Sequence, residues 1–228
     1  MPPKTKPEAH LQEVTNRVVS LPAVVLVHRK AFSTGYSFSQ LPFLAQLQIW
    51  DDIWKQTGSY WVRLQAFFFL EQYVRKTEYH QLIWKTSLSW QEDVNDWSLC
   101  DALAKVNTKV LETHTADVYQ QLTKWNNSNN LWKRRQSVVS LLYFSRTKKA
   151  YLPSEKIKAL IHPLLTDPEY YVQKGVGWAL RELHTVYPAD ALPFLKKHIK
   201  QIHSIAFTIA MEKMTAEEKE ILKSLRKK

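Results

Sequence analysis

Tyr60-Trp61-Val62-Arg63-Leu64 opens a segment whose apolar residues recur at i, i+3, i+4 and i+7, the spacing of one helix face. The same kind of opening returns three times: Asp96-Trp97-Ser98-Leu99-Cys100, Leu131-Trp132-Lys133-Arg134-Arg135 and Tyr170-Tyr171-Val172-Gln173-Lys174. The aromatics Trp61, Trp97, Trp132 and Tyr171 fall 36, 35 and 39 residues apart. Helix-pair repeats have periods of about 34–47 residues. Stacked, each pair buries its apolar side against its neighbours. The pattern predicts an all-α fold, a HEAT-like helical-repeat solenoid (an α-α superhelix) with one concave face.

Working outward, Leu41–Thr57, Trp132–Phe144, Leu192–Ile199 and Ala216–Leu225 carry the same periodicity. Thr215 with Glu218 three residues on reads as a capping box. Gly58-Ser59, Asn126–Asn130, Thr166-Asp167-Pro168 and Tyr187-Pro188 read as breaks, and the asparagines as a cap for the Trp132 helix. Strand patterns are scarce, and the Ala23–Val27 run reads as a strand or, as easily, as a buried helix segment. Residues 1–9, with three prolines and no periodicity, read as a disordered tail, and 10–228 as a single solenoid domain.

Composition removes other classes. With four glycines, none after Asn or Asp, the chain lacks the tight-turn residues that a sandwich or barrel needs. A single cysteine, Cys100, excludes an intrachain disulfide framework and a polythiolate zinc site. No apolar run approaches a membrane span, and the N-terminus lacks the apolar core of a secretory signal, so the expectation is cytoplasmic. A net charge of +11 and a pI near 9.6 make a polyanion the first partner to consider. The charge is concentrated: from Val118 to Ser154 there is no acid, yet Lys124, Lys133, Arg134, Arg135, Arg146, Lys148 and Lys149 all occur. Ala191–Met211 is also acid-free, with Lys196, Lys197 and Lys200. On a solenoid both stretches could line one basic groove, which would bind a duplex by counterion release. The competing reading is a solvated face.

Most catalytic constellations are missing. Gly175-Val176-Gly177 lies inside a helical pattern without a phosphate-loop fingerprint, and no nucleophile elbow or HExxH pair occurs. His28, His80 and His184 read as partly buried structural histidines, and Cys100 as core. Trp97 and Asp101, at i and i+4, share a helix face. Arg135 and Trp178 in later repeats could converge on them. An aromatic face and an anion together stabilise a cation such as an oxocarbenium ion. The plain alternative is a core Trp97 and a solvated Asp101.

Lys174-Gly-Val-Gly-Trp-Ala-Leu-Arg-Glu182 resembles the K-A-(I/V)-G-W-x-L-R-E signature of the AlkD-like DNA alkylation repair family, HEAT-like-repeat alkylpurine DNA glycosylases. Asp96–Asp101 is similar to the family's W-x-x-x-D segment and Asn130–Arg135 to its N-x-W-x-x-R segment; the resemblance covers roughly residues 45–200. Two segments depart from the pattern. Val18–Leu44 lacks G-(V/I)-x-x-P and the tyrosine upstream of it, with Gly35-Tyr36-Ser37 a remnant at most. Ser204–Ala210 replaces S-x-R-E-A.

The resemblance implies a monomeric DNA repair glycosylase of bacterial type, cytoplasmic and nucleoid-associated during repair, needing no metal or cofactor. Its substrate would be duplex DNA carrying cationic N3- or N7-alkylated purines, and it would hydrolyse the N-glycosidic bond. Asp101 would stabilise the sugar cation and position water, and Trp97 and Trp178 would hold the sugar–phosphate backbone. Arg135 would contact phosphate, with Arg134, Lys133, Tyr170, Tyr171, Lys174, Arg181, Arg146 and Lys148 as further DNA contacts. An alkylated purine is already cationic and leaves without a general acid, which suits a site with one obvious carboxylate. The alternative is a non-catalytic HEAT-repeat module that binds damaged or branched DNA; a protein–protein scaffold is a third.

Overall fold

The computed structural model describes residues 6–143 and 145–227. They are helical throughout, with no strand among the described residues and no helix long and apolar enough to cross a membrane. The chain divides into two compact units, Met1–Trp90 and Gln91–Lys228.

The first unit holds α1 (Lys6–Val19), α2 (Val25–Ser33), α3 (Phe43–Gln56), α4 (Tyr60–Tyr73) and α5 (His80–Trp90). Helix α4 is buried almost all round from Leu64 to Leu70, and α1, α2 and α3 pack against it. Trp50, Trp54 and Trp90 fill the core; Trp54 and Trp90 stack at 4.6 Å, and the Trp90 indole N–H donates to Asp51 at 3.0 Å. Each buried ring removes enough apolar surface from water to contribute several kcal/mol, about 25 cal/mol per Å².

Two expectations change in this unit. Residues 6–9, assigned to the tail, form the first turn of α1, where Pro7 needs no intrahelical donor and Glu8 favours the positive helix end; residues 1–5 lie outside the described part. The Ala23–Val27 run does lead into a helix, but Val24, Val25 and Leu26 are exposed and only from His28 does α2 turn inward.

The second unit holds α6 (Trp97–Leu111), α7 (Thr115–Asn126), α8 (Leu131–Val139), α9 (Ser154–Ile161), α10 (Tyr170–Val186), α11 (Pro188–Lys197), α12 (Ser204–Ala210) and α13 (Ala216–Lys227). They form two layers. In one, α6 packs on α8, α8 on α10 and α10 on α12; in the other, α7 packs on α9 and α11 on α13. The repeat read from the sequence is therefore present, and its breaks hold. Pro188 opens α11, and the capping box is reciprocal: Glu218 N–H donates to Thr215 Oγ1 at 3.2 Å and Thr215 N–H to Glu218 at 2.9 Å. The Trp132 helix is shorter than its periodicity, ending at Val139; Phe144 lies outside the described residues, as does Lys228.

The register of the aromatics differs from the expectation. The first residues of α4, α6, α8 and α10 are Tyr60, Trp97, Leu131 and Tyr170. Trp97 therefore stands one position earlier in its helix than Trp61, Trp132 and Tyr171 in theirs. One residue is about 100° of helix rotation. Trp97 is accordingly 48% exposed, like Tyr170 at 52%, whereas Trp61, Trp132 and Tyr171 are partly buried.

Candidate active site

The caps set the site's register. Asp96 Oδ1 accepts from Ser98 N at 2.8 Å and Leu99 N at 3.3 Å, and Asn130 Oδ1 accepts from Trp132 N at 2.8 Å and Lys133 N at 3.4 Å. Four residues after the first residue of α6, α8 and α10 come Asp101, Arg135 and Lys174. The same helix position in three neighbouring helices thus carries one negative and two positive groups.

Arg135 joins all three helices. Its Nη2 and Nε donate to Asp101 Oδ1 at 2.7 and 3.2 Å, and its Nη1 donates to the Tyr171 carbonyl at 2.6 Å. The residue is only 6% exposed. Asp101 is partly open to solvent, and among the described residues nothing donates to its Oδ2. Burial pushes the Asp101 carboxyl above its usual range; Asp96 adds to this, while the Arg135 guanidinium and the Lys174 ammonium oppose it. Burial pushes the neighbouring Cys100 thiol far up, so Cys100 is core and no nucleophile.

Aromatic and cationic groups surround this pair. Trp97 stands one turn before Asp101. The Tyr171 ring lies 5.3 Å from Trp132, which is not among the expected contacts although its place at the helix start marks it. Lys174 Nζ sits 5.5 Å above Tyr170. Trp178, one turn beyond Lys174 on α10, packs on Tyr143 at 5.0 Å and under the Arg181 guanidinium at 5.9 Å. No hydrogen bond, ion pair or ring contact joins Trp178 to Asp101 or Trp97 among the described residues.

Several expected DNA contacts are placed differently. Arg135 has its donors turned inward, onto Asp101 and Tyr171, and not toward a phosphate. Arg134 gives its Nε to Asp167 at 2.6 Å and its Nη1 to the carbonyls of Ser128 and Asn129, so it ties two loops together. Lys148 is 8% exposed; its Nζ donates to the Thr108 carbonyl and hydroxyl at 2.9 and 3.0 Å, and burial pushes it down to about 8. Lys133 pairs with Glu92 at 2.7 Å, and Arg181 with Glu182 and Glu212. Arg146 is exposed, as are Lys124 and Lys149. Lys196 and Lys197 sit on α11, in the other layer from α8, which carries Lys133, Arg134 and Arg135. The histidines are more enclosed than expected: His28 and His80 are fully buried, and His184 meets Glu218 at 3.0 Å. Among the described residues, no three His, Cys, Asp or Glu side chains gather closely enough to hold a metal ion.

The family described as "DNA alkylation repair enzyme" matches residues 25–214. The chain belongs to this DNA alkylation repair family. Among solved structures it is similar to AlkD2 from Streptococcus mutans, with 19% identity and a TM-score of 0.64 over 92% of this chain and 100% of that one. It is also similar to an Enterococcus faecalis protein described as a predicted DNA alkylation repair enzyme, with 15% identity and a TM-score of 0.61 over 93% of this chain and 98% of that one. At these identities the likeness is one of fold. No curated protein matches the chain.

In this member of the DNA alkylation repair family, the Lys174–Glu182 stretch lies inside α10, where several of its residues hold the helix in place. A Cβ on Gly177 would lie 2.7 Å from the Ala206 carbonyl oxygen, so only glycine lets α10 approach α12 this closely. Glu182 is buried and accepts from Ser145 Oγ at 2.5 Å and Lys213 Nζ at 2.6 Å. Burial pushes its carboxyl up, but the hydrogen bonds from Lys213 and Ser145 and the charges of Lys213 and Arg181 outweigh that, leaving it below its usual value. In the first unit, Tyr36 is a core residue whose hydroxyl donates to Gln65 at 3.0 Å.

Proposed function

We propose that the chain is a DNA glycosylase, hydrolysing the N-glycosidic bond of cationic N3- or N7-alkylated purines in duplex DNA without metal or cofactor. The observation that carries this reading is the Asp101–Arg135 arrangement. Arg135 holds one carboxylate oxygen, and the other is left to face a reacting group. As the charged base leaves, positive charge moves onto the deoxyribose, and a fixed carboxylate nearby stabilises that charge more than it stabilises the starting state. The leaving group needs no proton, so no second carboxyl is required. A water hydrogen-bonded to Oδ2 would be positioned to attack the anomeric carbon. Trp97, one turn earlier and exposed, would face the sugar–phosphate backbone with Trp178.

The proposal revises the phosphate contacts. Arg135 positions Asp101, Arg134 and Lys148 are structural, and Arg146, Lys174, Lys133, Tyr170, Tyr171 and Arg181 remain as candidate contacts to the strand. The reading takes the protein as a monomer acting on duplex DNA in a bacterial cytoplasm, nucleoid-associated during repair. Release of free base from alkylated duplex by wild type, and its loss in Asp101→Asn, tests it. Tight salt-dependent duplex binding with no release would support the non-catalytic binding module instead.

A further inference from the structure

Six of the ten large apolar side chains that stand exposed among the described residues lie between Val19 and Leu44, in the first unit. Four of them, Val19, Val24, Val25 and Leu26, flank the turn between α1 and α2. Leu26 is 74% exposed and Val19 78%. Apolar residues gathered in this way mark a contact surface, whereas singly scattered ones do not. Val24, Val25 and Leu26 are consecutive, and three consecutive residues at a helix start are all exposed only where the chain stands out from the fold.

The turn is stiff. Leu21 N–H donates to the Val18 carbonyl at 3.2 Å, Val24 N–H to the Pro22 carbonyl at 2.7 Å and Val27 N–H to the Val24 carbonyl at 2.9 Å, so its backbone is satisfied locally. Buried His28 props it from behind: the ring stacks on Trp61 at 4.0 Å and meets the Pro22 backbone. Helix α2 thus turns His28 toward α4 and leaves Leu26, with Lys30 one turn on, along its open face.

Charge selects the partner. No acid occurs from Val14 to Trp50, while Arg17, Arg29 and Lys30 do. The acids that reach this region are engaged: Glu13 accepts from the Ser37 N–H and hydroxyl at 2.9 and 2.6 Å, and Glu71 from Arg29 at 2.6 Å. Lys30 is exposed and pairs with no acid among the described residues. In a two-fold contact with a second copy the patch would meet itself, setting these cations against their own counterparts. Duplex DNA instead offers apolar base faces between rows of phosphates, and proteins that kink it insert leucine or proline between base steps.

We propose that the α1–α2 turn is an apolar wedge for duplex DNA: Leu26, with Val24 and Val25, enters a base step and partly unstacks it, and Lys30 holds the adjoining phosphate. This rests on the reading of the chain as a protein that acts on duplex DNA, but its test needs no base release.

The experiment uses duplexes that carry a tetrahydrofuran abasic analogue, to centre the protein, and 2-aminopurine at successive positions to either side. Wild type is expected to brighten 2-aminopurine at one base step, because unstacking removes its quenching. Leu26→Ser should lose that signal and bind about tenfold more weakly, the loss for one leucine kept out of an apolar contact. Its salt slope should stay as in wild type. Lys30→Gln should instead keep the signal and lower the slope by about 1, and Leu26→Met should brighten the same step as wild type. Leu26 is exposed in the free protein, so thermal unfolding of Leu26→Ser should match wild type. No brightening by wild type at any position, or the same brightening in Leu26→Ser, would overturn the proposal. So would a wild-type dimer in sedimentation that Leu26→Ser dissolves, which would assign the turn to a second copy. Binding to phosphatidylglycerol vesicles that Leu26→Ser abolishes, without any change at 2-aminopurine, would assign it to a membrane and overturn the wedge equally. Base release without brightening would remove the wedge and keep the glycosylase reading; brightening without release would do the reverse.

Discussion

At the residue scale, Asp101 and Arg135 act as one unit, and this changes what each substitution does. Asp101→Asn removes the charge that a developing sugar cation needs, and base release should fall by about 10²–10³-fold, as for loss of one preorganised electrostatic contact. Ionised Asp101 is the working form and burial raises its pKa, so activity should fade toward acid with a midpoint above the ordinary aspartate value. The stability consequence has the opposite sign. Ionisation is harder in the fold than in the unfolded chain, so Asp101 favours folding most below its unfolded pKa. That contribution is lost as pH rises through the interval up to the folded value. Arg135→Ala should push the acid limb to higher pH and cost about 1–3 kcal/mol in urea unfolding, since it leaves a half-buried carboxylate unpaired. It should leave the salt slope of duplex binding unchanged.

The element scale shows where reading the sequence succeeds and where it stops. Two helix starts were legible because local chemistry decides them: Asn130 and Thr215, both read as caps from the sequence, accept from backbone N–H groups two or three residues on. The charge pattern was less legible, since an acid-free sequence stretch is not acid-free in space. Lys133, Arg134 and Arg135 find Glu92, Asp167 and Asp101, each more than 30 residues away in the chain. Lys148 finds Thr108 and a buried site. The one-residue register offset of Trp97 was also hidden, because a 36-residue and a 35-residue spacing look alike until the caps are known. Gly177 was legible only as the glycine of the Lys174–Glu182 stretch, with nothing to show its packing role, yet it sets the α10–α12 approach. Gly177→Ala should therefore destabilise by about 1–3 kcal/mol by overpacking, despite the better helix propensity of alanine. Thermal unfolding at matched pH checks this; an unchanged or raised Tm would contradict it.

At the scale of the whole molecule, the +11 charge matters through the groups that remain free. A cation that neutralises a phosphate contributes roughly one counterion to the salt dependence. Arg146→Ala should reduce the slope of log K against log salt by about 1, whereas Arg134→Ala and Lys148→Ala should not change it, because both side chains are held inside the fold. Fluorescence anisotropy with one duplex across a salt series separates these cases. Family membership places the chain in DNA alkylation repair, and the chemistry at Asp101 is what would make it a glycosylase. The most direct measurement is base release from duplex DNA containing N7-methylguanine, wild type beside Asp101→Asn at the same protein concentration. The account predicts release by wild type and near-background release by the variant, with duplex affinity retained by both. Equal release by both, or none by wild type while it binds the duplex tightly, would contradict it.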